Sequence, residues 1–344
     1  MSPARSPRSR ALHRLMVLEG GAAPVDGPFD RLPDRLRAGD LLVVNDAATL
    51  PASFRARDPR DHRFELRLLA RTAAHRSLAV AYADGDWRTR TEHRMTARLK
   101  VGDRLRLEGD SMAARVLSRS PLSEAWIEIE FTDEKGAPAD LARVLEALYR
   151  AGKPIQYSHA AVDFDLGDVQ TAYASRPWAY EMPSAGRPFR WSVLLELMRR
   201  GVRVAPLTHA AGVSSTGIAA IDARLPLPER YEIPAETARR IGETKERGGR
   251  VIAIGTSVTR ALEGSAGPGG RVRAGPGETD LILHPAFKRR VVDGILSGMH
   301  ESTETHYRLL GSFYPKEALD DLLRRADEAG YLTHEFGDSC LLIP

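Results

Sequence analysis

The stretch Arg250-Val-Ile-Ala-Ile-Gly-Thr-Ser-Val-Thr-Arg-Ala-Leu-Glu263 compresses a buried strand, a glycine turn and a helix start into fourteen residues. Val251 to Ile254 is an unbroken apolar, mostly β-branched run, as expected of a strand covered on both faces. Val258, Ala261 and Leu262 then recur at helical spacing. Gly255 lies at the junction, where a residue without Cβ lets the backbone approach a ligand. The free N–H groups of the helix start, with the Thr256 and Ser257 hydroxyls, suit carboxylate, phosphate or ribose oxygens. The same unit is also a common packing device, so this segment alone leaves the ligand-binding and structural readings equally open.

Working outward, Asp40-Leu-Leu-Val-Val-Asn45 reads as another buried strand of an α/β layer. From about Phe54 the pattern changes to short alternating stretches: Arg63 to Leu69, Leu78 to Tyr82, Arg104 to Leu107, Ala114 to Leu117 and Ala125 to Phe131. Turn signals at Ala83-Asp-Gly-Asp86, Val101-Gly-Asp103 and Glu108-Gly-Asp110 separate them, which predicts a small antiparallel barrel. Helical periodicity returns from Asp140, and helices over Trp191–Arg200 and Ala235–Arg247 alternate with a strand over Val202–Leu207. The expected organisation is a mixed-sheet α/β domain, residues 1–53 plus 150–344, interrupted by an all-β barrel domain, residues 54–149. The glycine-rich run Gly264 to Gly277 reads as a flexible loop.

A chain of 344 residues can bury a sizeable core. No apolar run approaches the ~20 residues of a membrane span. Met1 to Arg14 carries four arginines and no apolar signal core, which reads as a disordered tail of a cytoplasmic protein. The single cysteine, Cys340, excludes an intrachain disulfide and reads as a small core residue. A net charge of +4 mildly favours anionic partners, but the arginine clusters are spread too widely to form a nucleic-acid signature. Neither Gly-x-Gly-x-x-Gly nor a lysine-bearing P-loop occurs where a strand meets a helix.

Further segments, read with the opening one, share an order and spacing: Arg10 and Arg14-Leu-Met16; Gly39 to Asn45 with Leu50-Pro-Ala52; Gln170-Thr-Ala-Tyr-Ala174; Pro183-Ser-Ala-Gly186; Leu207-Thr-His209; Glu229-Arg-Tyr-Glu-Ile233; Phe287 with Val291-Val-Asp-Gly294; His300; and Phe336-Gly-Asp338. Together they resemble the S-adenosylmethionine:tRNA ribosyltransferase-isomerases of queuosine biosynthesis, from Arg10 to the C-terminus. The resemblance implies a cytoplasmic enzyme with S-adenosylmethionine as co-substrate and tRNA as partner. The ribosyl portion of the cofactor passes to the aminomethyl group of a 7-deazaguanine and isomerises to an epoxycyclopentanediol, with release of adenine and methionine. The sulfonium acidifies the ribose C5′ protons, so such a site needs a general base, donors for adenine and ribose, and exclusion of water.

Departures from the family pattern cluster in its motifs. The family histidine of Pro-Thr-Ala-Gly-Leu-His-Phe falls on Pro188 in Pro183-Ser-Ala-Gly-Arg-Pro-Phe189. The glycine-spaced motif after His209 is rebuilt as Ala210 to Ser215, and Ala48 and Ser53 stand where the family has arginines. Asn-Phe-His-Leu-Pro becomes Gly298-Met-His-Glu-Ser302, and Pro-Leu-Pro-Pro-Tyr-Ile is reduced to Pro154-Ile-Gln-Tyr157. These changes leave two alternatives beside the tRNA enzyme: a paralogue using the cofactor on a small-molecule acceptor, and a non-catalytic nucleoside- or tRNA-binding protein.

On the resemblance, His209, at a strand end, and His300, after a buried strand, are the candidate catalytic residues. Ser184, Ala185 and Gly186 are expected on the adenine or ribose side, with Glu229 and Tyr231 nearby and Glu229 on ribose hydroxyls. Gly255, Thr256 and Arg260 are expected on the methionine carboxylate or the ribose. The plain structural readings are a hydrogen-bonded histidine, a tight turn, a helix cap and exposed charges. His300-Glu-Ser-Thr-Glu-Thr-His306 gathers three possible metal ligands without zincin spacing. On one helix His300 and Glu304 would share a face and His306 would not, so no metal is expected.

Overall fold

The computed structural model describes all residues except 86–87, 91–92, 213–217, 223–226 and 303. Asp86 of one expected turn, and residues 213–215 of the rebuilt loop, therefore lie outside the described residues. A nine-stranded mixed sheet runs in the order Gly275–Thr279, Glu229–Ile233, Arg203–His209, Leu41–Asn45, Val251–Ile254, Gly294–Gly298, Ser339–Ile343, Arg14–Glu19, Val25–Pro28. The four strands from Arg203–His209 to Gly294–Gly298 are mutually parallel. The two at the centre, Leu41–Asn45 and Val251–Ile254, are buried along their whole length, as their unbroken apolar runs require. The buried Asp40 carboxylate receives Arg250 and the backbone N–H of Arg37, which registers the starts of these two strands.

Between Leu41–Asn45 and its neighbour Arg203–His209 the chain builds a closed six-stranded antiparallel barrel, ordered Ala113–Ser120, Ser123–Thr132, Arg76–Ala83, Arg63–Ala73, Ser53–Arg57, Arg104–Leu107. Alternation along these strands fills the barrel with Phe54, Phe64, Leu66, Ile127, Ile129 and Phe131. The helix Leu141–Ala151, capped by Asp140, adds Val144, Ala147 and Leu148 to the same core. The fold is thus mixed α/β with an inserted barrel. Among the described residues, no helix is long and apolar enough to cross a membrane.

Two expectations are overturned. The arginine-rich N-terminus is docked rather than disordered: Ser2–Pro3 pairs in parallel with Leu332–Thr333, Ala4 is fully buried, and Arg8 joins Asp338 at 2.9 Å. Ion pairs with partners hundreds of residues away supply an order that no local periodicity announces. The run Gly264–Gly277 is not one loop either. It contains the end of the helix Thr256–Ser265, and Gly275 to Gly277 begin an edge strand against Glu229–Ile233. Gly277 is needed there because a Cβ would lie 2.4 Å from the Tyr231 ring. Cys340 is buried, as expected.

Candidate active site

The parallel strands Val251–Ile254 and Gly294–Gly298 end at a cavity of about 500 Å³, large enough for a nucleoside-sized ligand. Ile254, Ser297 and Gly298 form its floor, and Gly255, Thr256 and Ser257 one wall. Gly255 has φ 91°, a conformation other residues reach only with strain, and a Cβ there would press on Ala185 Cβ at 3.3 Å. The glycine therefore lets the turn Ser184–Gly186 close against the start of the helix Thr256–Ser265. The first N–H groups of that helix have no intrahelical partner. Ser184 and Ala185 line the cavity beside that helix start, and Arg67 of the barrel lines it too.

His300 also lines the cavity. Its Nε2 is 3.0 Å from Ser297 Oγ and its Nδ1 is 3.1 Å from Glu304 Oε2, so both ring nitrogens are held. Burial pushes the Glu304 carboxyl up, but the His300 hydrogen bond and the charges of nearby histidines outweigh it and the net shift is down.

His209, Glu229, Arg260, Tyr231 and Gly186 stand behind the cavity wall rather than in it. His209 is fully buried, its backbone locked to the Asn45 side chain by bonds of 2.9 and 3.0 Å. Its Nε2 lies 3.3 Å from Glu229 Oε2 but is not aligned as a hydrogen bond. Burial, helped by Arg260, pushes the imidazole down to about 3 and keeps it neutral. Arg260 donates to Glu229 at 2.5 Å and to the Leu281 carbonyl. Burial pushes the Glu229 carboxyl up, opposed by Arg260 and the Gly212 N–H. Because Gly212 lines the cavity and donates to Glu229 at 2.8 Å, this buried group shapes the wall from behind. Tyr231 packs into the sheet core, and Gly186 is covered by Tyr173, whose hydroxyl would be 2.1 Å from an added Cβ.

Several further residues line the cavity. Glu181 accepts from the Tyr157 hydroxyl at 3.0 Å, and burial together with repulsion from Glu335 pushes it up to about 7. His159, His306, His334 and Glu335 line the same space. His159 and the adjacent His334 and Glu335 come from segments that offered no cue, whereas His306 belongs to the His300–His306 run and Glu181 is a charged residue between Tyr180 and Met182 beside the Pro183–Gly186 motif. The expected helical run through His300–His306 is also corrected. The helix begins only at Thr305, and His306 stacks on His300 with ring centroids 4.8 Å apart, so the three potential ligands meet.

Of the positions departing from the family pattern, Pro188 is buried outside the cavity lining. Ser53 donates to Glu65 on the outer face of the barrel. Arg187 points away from the cavity, donating to the carbonyls of Asp168 and Arg8.

The sequence model of a family described as queuosine biosynthesis protein matches residues 2–342. The S-adenosylmethionine:tRNA ribosyltransferase-isomerase of Gloeobacter violaceus is 32% identical, covering 99% of this chain and 92% of that protein. The protein of the same name from Methylocella silvestris is 34% identical over 98% of this chain and 92% of its own length. A crystal structure of the S-adenosylmethionine tRNA ribosyltransferase of Thermotoga maritima shares the fold, with a TM-score of 0.53 at 23% identity over 99% of this chain and 96% of that one. The end-to-end match places this chain in the queuosine biosynthesis protein family.

Proposed function

We propose that this chain is an S-adenosylmethionine:tRNA ribosyltransferase-isomerase. The observation that carries this reading is its match, along nearly its whole length, to enzymes of that name at about a third identity. A cavity at the carboxyl ends of parallel strands, lined by Gly255, Thr256 and Ser184, supports it.

In this reading the helix start at Thr256 and the Ser184 hydroxyl hold the polar parts of S-adenosylmethionine, while Ala185 and Ile254 cover its apolar face. The sulfonium acidifies the ribose C5′ protons. One is taken by a base, ring opening expels adenine, the amine of the modified base in tRNA attacks, and methionine leaves. Glu181, poised near neutrality, and His300, held by Ser297 and Glu304, are the proposed proton carriers. Glu229 and Arg260 position the wall through Gly212, with His209 as the neutral buried group behind them.

The test is incubation with S-adenosylmethionine and tRNA carrying the aminomethyl-deazaguanine. Adenine and methionine are followed by chromatography and the modified nucleoside by mass spectrometry. Adenine release that depends on this tRNA, with formation of the epoxycyclopentanediol, supports the reading. Release without tRNA would transfer the assignment to a paralogue with another acceptor.

A further inference from the structure

Two sets of potential metal ligands share the cavity, and they are built alike. His159 and His334 stack with ring centroids 4.5 Å apart beside Glu335, and His300 and His306 stack at 4.8 Å beside Glu304. In each set one donor atom from every residue lies within 4.8 Å of the others. The ion-pair contacts, His159 Nε2 to Glu335 Oε2 at 3.2 Å and His300 Nδ1 to Glu304 Oε2 at 3.1 Å, approach the separation of about 3.3 Å between donors on one tetrahedral ion. The two sets adjoin. The second Glu304 oxygen lies 3.9 Å from His334 Nδ1, so this carboxylate stands between them.

The polar bookkeeping of the first set also points to a missing partner. His159 Nε2 and Glu335 Oε2 are buried, face each other, and yet neither makes an aligned hydrogen bond. Such atoms are costly to bury unless something satisfies them, and a cation between them would satisfy both. His334 is held at φ 65°, one of two non-glycine residues with positive φ among the described residues. The fold keeps that side chain in place at a conformational cost.

We propose that the cavity binds divalent first-row transition-metal ions at two adjacent sites, His159/His334/Glu335 and His300/Glu304/His306, with Glu304 between them. Two imidazoles and one carboxylate form the donor set that zinc and non-haem iron accept. Three protein ligands leave coordination positions open toward the cavity, the arrangement of a catalytic rather than a structural site. With an ion on the second site His300 is a ligand, and Glu181 is left as the proton carrier. The sites are independent of which acceptor the enzyme uses.

The test needs no activity. Untagged full-length protein is stripped with chelator, loaded separately with zinc, cobalt(II) and iron(II), desalted, and its metal counted by mass spectrometry. About two equivalents should be retained, with visible cobalt(II) d–d bands showing nitrogen and oxygen ligation. His334→Ala and His306→Ala should each keep one equivalent and the double variant none, with circular dichroism and thermal melting confirming that the stripped variants remain folded. Retention of almost no metal by the wild type overturns the proposal, and so does undiminished binding by the double variant. A single equivalent lost equally in both single variants overturns the two-site arrangement.

Discussion

Behind the cavity, Oε2 of Glu229 accepts a hydrogen bond from the Arg260 guanidinium at 2.5 Å, and both side chains are buried. This pair ties the strand Glu229–Ile233 to the helix Thr256–Ser265, and the other Glu229 oxygen holds the Gly212 N–H at the cavity edge.

Removing one partner of a buried pair strands the other charge, which costs about 3–5 kcal/mol. Arg260→Met is therefore expected to lose stability of that order in urea unfolding. Glu229→Gln should lose a comparable amount, because its single amide oxygen can replace only one of the two acceptors that Gly212 and Arg260 use, and the guanidinium loses its counter-charge. Equal stability of Arg260→Met and the wild type would remove the pair from any structural role.

Gly255→Ala forces a side chain into a positive φ and against Ala185. The expected cost is about 1–3 kcal/mol of stability. The turn carrying Ser184 and Ala185 should also be displaced, raising KM for S-adenosylmethionine more than it lowers kcat. Calorimetry and initial rates check both parts, and an unchanged KM would separate this turn from cofactor binding.

Glu181 is held up to about 7, so as a base it is charged and active only above that pH. The rate should rise as pH increases through about 7 and level off beyond it. Glu181→Gln should lower kcat by about 10²-fold or more and abolish this limb. A variant that keeps the wild-type pH profile would exclude Glu181 as the base.

The buried His209 imidazole, pushed down to about 3, gives a pH dependence of stability with a definite sign. Unfolded, it takes up a proton near pH 6.5. Between that pH and 3 the unfolded chain binds one more proton than the native protein. Its contribution is therefore fully present above about pH 6.5 and is lost as pH falls, by up to about 1.4 kcal/mol per unit. His209→Gln should flatten that slope in urea unfolding between pH 7.5 and 5. An identical slope in the variant would mean that the native histidine takes up a proton as readily as the unfolded one.

What was legible in the sequence was local. Val251 to Ile254 and Leu41 to Asn45 announce buried parallel strands by unbroken apolar runs, and the barrel strands announce themselves by alternation. The barrel's first strand, Ser53–Arg57, is quieter because only Phe54 and Ala56 point inward. Gly275–Thr279 hides behind glycine and proline, which an edge strand tolerates. Gly255, Thr256 and His300 reach the cavity because their motifs follow strand ends, and Ser184 and Ala185 because their turn packs against Gly255. His159, Glu181, His334 and Glu335 are joined only by tertiary folding, and no spacing along the chain encodes that meeting.

The pairing of Arg14–Glu19 with Ser339–Ile343 matters for how the molecule is made. Arg14–Glu19 can make this pairing only once Ser339–Ile343 has been synthesised, just after the segment bearing His334 and Glu335. The barrel's strands lie close in sequence and can pair before that contact forms. Without Ser339–Ile343, the strand Arg14–Glu19 would lose this pairing and present an open sheet edge. The clasp thus ties the cavity's wall to a pairing of strands that lie far apart along the sequence.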